Sequence, residues 1–219
     1  MIEIKNLKKT YKERTVLDID KLVIDNGTIL AVAGANGSGK STLLRILACQ
    51  LKATEGEIAS PENSLYMPQQ AYAFRGNLID NITLSGADRE TAKQLLEKLE
   101  LSHLSEKKAT SLSGGELQRL SLCRVLSKKA ELLLLDEPTS ACDVRGAELV
   151  VNAIKDYQKE NGCTVIMSTH APALALKAAD RMIILGNGKI EADGTPADIF
   201  SKPETDWAKS FTAGWKTDA

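Results

Sequence analysis

Gly34-Ala35-Asn36-Gly37-Ser38-Gly39-Lys40-Ser41-Thr42 is the stretch that decides the fold. An apolar run, Thr28–Ala33, leads into it, and in Ser41–Gln50 apolar residues recur at helical spacing. A buried strand, a glycine-rich turn and a helix in that order form the arrangement in which a loop cradles phosphate. The stretch matches G-x-x-x-x-G-K-[ST] throughout. Its glycines let the backbone curl until successive N–H groups point at phosphate oxygens, and the following helix adds the positive end of its dipole. Lys40 is placed to reach the β- and γ-phosphates of a nucleotide, and the Ser41 hydroxyl to ligate Mg²⁺. A glycine turn with an incidental lysine is the plain alternative, and the flanking strand and helix weigh against it.

Toward the N-terminus, Ile2 and Ile4, then Val16, Leu17 and Ile19, then Leu22–Ile24 carry the pattern of strands, with a turn signal at Asp25-Asn26-Gly27. This predicts an antiparallel β patch feeding the strand at Thr28–Ala33. Downstream, a second strand ends at Leu65-Tyr66-Met67, and the chain turns helical to about Leu126 through Glu90–Glu100 and Glu116–Ser127. Strands return at Glu131–Asp136, Thr164–Thr169 and Arg181–Leu185, with helices near Arg145–Lys159 and Pro172–Ala179 between them. Gly186-Asn187-Gly188 predicts a hairpin to Ile190–Ala192, and the tail past Pro203, with Trp207, Phe211 and Trp215, a short packed helix. Strand–helix alternation implies a mostly parallel sheet covered on both faces. The expected fold is therefore α/β: a P-loop NTPase with a mostly parallel central sheet, an N-terminal antiparallel β patch and a helical sub-lobe over about 70–127. One domain spans 1–219 in this reading.

Hydrophobic residues make up 43% and charged residues 26% of the 219, ordinary for a soluble globular chain. With 28 basic against 29 acidic residues there is none of the basic excess of a nucleic-acid binder, so no nucleic-acid partner is expected. Cys49, Cys123, Cys142 and Cys163 are widely spaced among apolar or small neighbours, without a C-x-x-C pair. They read as buried free thiols, compatible with a reducing cytosol rather than a disulfide framework or zinc site. Met1–Lys5 lacks the basic-then-apolar pattern of a signal peptide. Runs such as Leu132–Leu135 fall far short of the roughly 20 apolar residues that span a bilayer. Any membrane role then requires docking to another chain.

Leu132-Leu133-Leu134-Leu135-Asp136-Glu137-Pro138 is an apolar strand that stops at two carboxylates. At the carboxyl end of a central strand beside a phosphate loop, Asp136 is placed to hold Mg²⁺ directly or through water. Glu137 is placed to orient and activate an attacking water as general base. A carboxylate pair capping a helix is the alternative, which the phosphate loop weakens.

Between these two motifs lies Leu112-Ser113-Gly114-Gly115-Glu116-Leu117-Gln118-Arg119. Its paired glycines let backbone N–H groups approach an anion just where a helix begins. One nucleotide in one chain does not require two phosphate-reading loops, so the excess points to two copies placed head to tail.

At this point the sequence resembles the ATP-binding cassette family, in whose motif order residues 1–200 are laid out. The resemblance implies ATP as the nucleotide and Tyr11 as the aromatic stacked on adenine. The phosphate loop (Gly34, Asn36, Gly37, Ser38, Gly39, Lys40, Ser41 and Thr42) looks like Walker A. Gln69 looks like the Q-loop glutamine, at the metal and the attacking water, with Gln70 beside it leaving open which amide is used. Ser113, Gly114, Gly115 and Glu116 belong to the signature motif, Leu132–Glu137 to Walker B, and Ser140–Asp143 to the D-loop, where Cys142 replaces the usual leucine. His170 is similar to the switch histidine at the γ-phosphate. The implied assembly is a nucleotide-sandwich dimer in which Ser113 and Gly115 of one copy complete the other's site. As a cassette ATPase of a membrane transporter, the chain would dock through Gln69–Leu84, with Tyr72 and Phe74, onto a permease subunit at the inner face of the membrane. The ending Thr195–Phe200 looks most like that of bacterial importers, tungstate-type ones included, which bring in a solute-binding protein; certain metal or lipid exporters share the layout. A soluble mechanical ATPase on ribosomes or DNA is the competing class; a single cassette without coiled coil or basic arm argues against it. The signature and His170 argue against a small-molecule kinase.

Overall fold

A computed structural model describes residues 1–170, 172–203 and 205–213. The chain opens with β1 (Ile2–Tyr11) and β2 (Arg14–Ile24), paired antiparallel. The Gly27 turn then carries it into β3 (Ile29–Gly34), buried at every position, and across the phosphate loop into α1 (Lys40–Leu47). β4 (Glu55–Ala59) returns to pair antiparallel with β1, making a three-stranded sheet of order β2-β1-β4. Next come β5 (Ser64–Met67), α2 (Leu78–Thr83), α3 (Arg89–Lys98) and α4 (Gly114–Leu126). Then follow β6 (Leu132–Asp136), α5 (Val144–Asn161), β7 (Thr164–Thr169), α6 (Pro172–Ala178), β8 (Arg181–Gly186) and β9 (Lys189–Gly194). α7 (Pro196–Ser201) and α8 (Asp206–Ala213) complete the described elements.

The second sheet has the order β5-β6-β7-β3-β8-β9, parallel except where β9 hairpins back on β8. Side chains along a strand point alternately to its two faces, and here each face finds its own cover. Leu133 and Leu135 of β6 join Met167, Leu96, Leu120 and Ile154 in a core under the helices α2 to α6. Leu132 and Leu134 join Leu43, Leu44, Ile4 and Leu17 in a core between the sheet, α1 and the antiparallel patch. The continuous leucine run of β6 is thus the signature of a strand with both faces buried.

From β3 onward the predicted helices and strands recur within two residues, apart from α1, which stops three residues short of Gln50; in the N-terminal patch β1 runs on from Ile4 to Tyr11, and the runs at Val16–Ile19 and Leu22–Ile24 are one strand, β2. Ala48 caps it, and Cys49 beyond it takes a left-handed φ of +55° and is exposed. That corrects the expectation of four buried thiols: Cys123 and Cys163 are buried, and Cys142 is half-buried. Three elements escape the sequence reading, β4 and the short helices α2 and α7. Past Pro203, α8 forms as expected, with Ala208 fully buried; Trp215 lies outside the described residues.

Candidate active site

The phosphate loop closes against β2, and Gly39 shows why its composition is fixed. Gly39 has a φ of +106°, and a Cβ there would lie 2.6 Å from Leu17 Cδ2 and 2.9 Å from the Val16 carbonyl oxygen. Only glycine meets both demands. Beside the loop is a cavity of about 320 Å³ lined by Val16, Asn36, Gly37, Gly39, Lys40, Ser41, Thr42, Gln69 and Glu137. Gln69, and not its neighbour Gln70, is in that lining.

Two features of the loop fit a polyphosphate. Lys40 is buried, and its Nζ donates to the loop's own carbonyls, Gly34 O at 2.8 Å and Ala35 O at 3.1 Å. Desolvation pulls its pKa below the ordinary lysine value, against the charges of Glu137 and Asp136. The buried Ser38 Oγ has no hydrogen-bond partner among the described residues. A buried cation beside an unsatisfied hydroxyl is an environment that an anion completes.

Asp136 is 2% exposed and held by three hydroxyls from three elements. Its Oδ1 accepts from Ser168 Oγ at 2.6 Å and Ser41 Oγ at 3.0 Å, and its Oδ2 from Tyr66 OH at 3.3 Å. Burial, followed by the Asp136 charge, pushes the Tyr66 phenol well above its usual pKa and keeps it a donor. Ser41 and Asp136 are hard oxygen donors within hydrogen-bond distance of each other. Among the described residues no cluster of three or more His, Cys, Asp or Glu side chains forms a metal cage. Such a sparse oxygen set fits Mg²⁺, which keeps one or two protein ligands and completes its shell with phosphate and water.

Glu137, one residue on, leaves the strand with a φ of +49°. For a residue other than glycine that conformation costs on the order of 1 kcal/mol and persists only where its surroundings hold it. Its N–H donates to Ser168 Oγ at 2.9 Å. Its carbonyl accepts from Gln118 Nε2 at 3.0 Å and from the Ser140 N–H at 3.2 Å. Its carboxylate Oε2 lies 2.8 Å from His170 Nδ1. The structure therefore brings together Lys40, Ser41, Gln69, Asp136, Glu137 and His170.

The signature residues lie elsewhere: Ser113, Gly114, Gly115 and Glu116 are not among the residues lining the cavity. Ser113 caps α4 in a reciprocal box, its N–H and hydroxyl donating to Glu116 Oε2 at 2.7 and 2.8 Å. Those two bonds hold the Glu116 carboxyl below the usual carboxylate range. The Glu116 carboxylate is thus engaged by Ser113 within one copy. Tyr11 is also outside the lining, exposed at the end of β1 with Lys9 Nζ 4.9 Å from its ring centroid. Sequence reasoning missed Ser168, Tyr66 and Gln118. Ser168 had a signal: a hydroxyl residue at the carboxyl end of an apolar strand, in parallel register opposite Asp136.

The ABC transporter family profile matches residues 17–140. A tungstate uptake system ATP-binding protein from Peptoclostridium acidaminophilum is 35% identical over 210 residues, covering 88% of this chain and 98% of that protein. A spermidine/putrescine import ATP-binding protein from Mannheimia succiniciproducens is 33% identical over 96% of the chain, which spans 62% of that relative's length. Among solved structures, the dimeric ATP-binding cassette MJ0796 in a post-hydrolysis state bound to ADP and Pi superposes with a TM-score of 0.81 at 28% identity. That match covers 90% of this chain and 99% of that one. With its phosphate loop, signature helix, paired carboxylates and His170 in this order along the chain, and the profile matched over more than half of it, the chain belongs to the ABC transporter family as an ATP-binding cassette.

Proposed function

We propose that this cassette, one unit over 1–219 with its helical lobe at about 70–127, hydrolyses ATP as a head-to-tail pair of copies to drive a membrane importer. The observation that carries the reading is the split between cavity and signature. One copy gathers Lys40, Ser41, Gln69 and Glu137 at one cavity, with Asp136 hydrogen-bonded to Ser41, while Ser113 and Gly115 lie outside it. In the sandwich, Lys40 and the loop N–H groups bind the phosphates of ATP, and Tyr11 packs on the adenine. Ser41, Asp136 and Gln69 hold Mg²⁺, which when bound neutralises charge on the β- and γ-phosphates. Glu137 orients the attacking water and takes its proton, and His170 steadies that carboxylate and meets the γ-phosphate. Ser113 and the N–H groups of Gly114 and Gly115 from the other copy close the site, so hydrolysis waits for the pair to form.

Among the described residues no helix is long and apolar enough to cross a membrane. The cassette reaches the inner face of the membrane by docking to a permease. The exposed rings of Tyr72 and Phe74, packed edge to face at 5.3 Å over the Arg124 guanidinium, form the docking face. Import, with a solute-binding protein in the same system, is supported by relatives named for tungstate uptake and spermidine/putrescine import. Glu137→Gln tests the catalytic reading. Hydrolysis is expected to fall by about a hundredfold or more while ATP binding survives, and an ATP-bound dimer should accumulate in size-exclusion chromatography. Turnover at the wild-type rate would refute the assignment of Glu137 as the base.

A further inference from the structure

Three segments converge on a single peptide unit, that of Glu137. From β7, the Ser168 hydroxyl accepts a hydrogen bond from the Glu137 N–H and donates one to Asp136 Oδ1. From the following loop, the Ser140 N–H meets the Glu137 carbonyl. From α4, the Gln118 side-chain amide donates to the same carbonyl at 3.0 Å. Ser168 is 0% and Gln118 1% exposed, so neither has water as an alternative partner. A primary amide inside a helix face that packs on a core is retained where it has a bond to make.

The contact matters because of the helix it comes from. α4 begins at the signature, with Ser113 as its N-cap, and Gln118 lies five residues along the same rigid helix, about 7.5 Å of axial rise. The first turn of α4 also rests on the chain that follows Glu137. A Cβ on Gly115 would come within 2.9 Å of the Ala141 carbonyl oxygen. A shift of the signature end of α4 is therefore transmitted to the segment 137–141 at two points, one packed and one hydrogen-bonded.

We propose that Gln118 is a positioning residue that couples the two ATP sites of the pair. The helix that meets the other copy's ATP through Ser113 sets, through Gln118, the backbone of the base that acts on its own copy's ATP. Occupancy of one site then tunes the geometry of Glu137 in the other. The inference rests on the proposed shared site and on Glu137 as base. Ser168 grips the same peptide from β7 with its hydroxyl bonded to Glu137 and Asp136; it fixes the base and does not carry the coupling.

The test compares Gln118→Met, which keeps bulk and removes the donor, with Ser168→Ala and Glu137→Gln. ATP binding, melting temperature, ATP-driven dimerisation and the rate against ATP concentration are measured for each. Gln118→Met is expected to bind ATP and melt as wild type, and kcat to fall on the order of ten- to a hundredfold. The ATP-bound dimer should become long-lived even with Glu137 present. The Hill coefficient, expected between one and two for two coupled sites, should drop to one. Ser168→Ala should lower kcat and leave the Hill coefficient at its wild-type value. Gln118→Asn, one methylene too short to reach the carbonyl, should repeat the Gln118→Met pattern and replaces it if Met disturbs folding. An unchanged kcat, a loss of rate that only follows loss of dimerisation, or equal loss of cooperativity in Ser168→Ala would overturn the proposal. Wild-type turnover by Glu137→Gln would instead overturn the reading on which it rests.

Discussion

Two adjacent carboxylates face one chemical problem, and the backbone of Glu137 explains how. Successive side chains of a strand point to opposite faces, so Asp136 and Glu137 could not both serve the phosphate loop from a continuous β6. The left-handed turn at Glu137 (φ +49°) takes the second carboxylate into the cavity while Asp136 keeps its strand register beside Ser168. This strain has a measurable consequence. Glu137→Gly, which adopts the conformation freely and removes a buried charge next to Asp136, is expected to gain about 1 kcal/mol and to raise the melting temperature by roughly 2–4 °C. Hydrolysis should be lost at the same time. A melting temperature below that of wild type in calorimetry would mean that no strain is stored there. Both carboxylates could be singled out in the sequence because a phosphate loop lies upstream; the leucine run ending in Asp-Glu-Pro reads equally well as a helix cap when taken alone. The hydroxyls that hold Asp136 were not legible, because Tyr66, Ser41 and Ser168 come from three elements whose register only the folded sheet supplies.

At the scale of the element, α4 is both a core helix and the carrier of the signature. Its buried face, with Leu120, Cys123 and Leu126, joins the core under the sheet, while its first turn stays exposed and is stitched by the Ser113–Glu116 box. The Glu116 carboxyl is held below its ordinary pKa by the Ser113 N–H and hydroxyl. Its contribution is therefore present above the unfolded-state value, near 4.3 for a glutamate, and is lost as pH falls through the lower folded value. Glu116→Ala should cost a few tenths to about 1 kcal/mol near neutrality. Melting curves of the two proteins should converge as the solution is acidified; a gap that persists in acid would assign the effect to packing instead. The long helices were readable from apolar spacing, whereas β4 and α2 were not. β4 offers one half-buried apolar position, Ile58, in an otherwise exposed strand, too little for a period of two. α2 is six residues long, too short for apolar spacing to show, and the folded chain holds its start with the capping pair of Asn77 and Asp80.

At the scale of the molecule, the fold separates what the chemistry requires together. The phosphate loop, β6 and β7 bring their residues to the carboxyl ends of the parallel strands, and α4 carries Ser113 and Gly115, which the proposed pairing would add to the site, outside that cavity. A second copy is the expectation that the sequence raises through one phosphate-reading loop too many. The internal link from α4 to Glu137 was not legible there, because Gln118 reads as one more polar residue on a helix until its burial is known. The pairing of copies is tested most directly by sedimentation velocity on Glu137→Gln with and without the added change Ser113→Asp. Aspartate caps a helix as well as serine does; it gives up the hydroxyl bond to Glu116, so circular dichroism is used to check that α4 stays formed while a negative charge is set against the other copy's phosphate. With ATP and Mg²⁺, Glu137→Gln is predicted to sediment as a dimer. The double variant is predicted to remain a monomer that still binds ATP. A double variant that dimerises as readily as its parent, or a monomer that has lost ATP binding, would contradict a site shared between two copies.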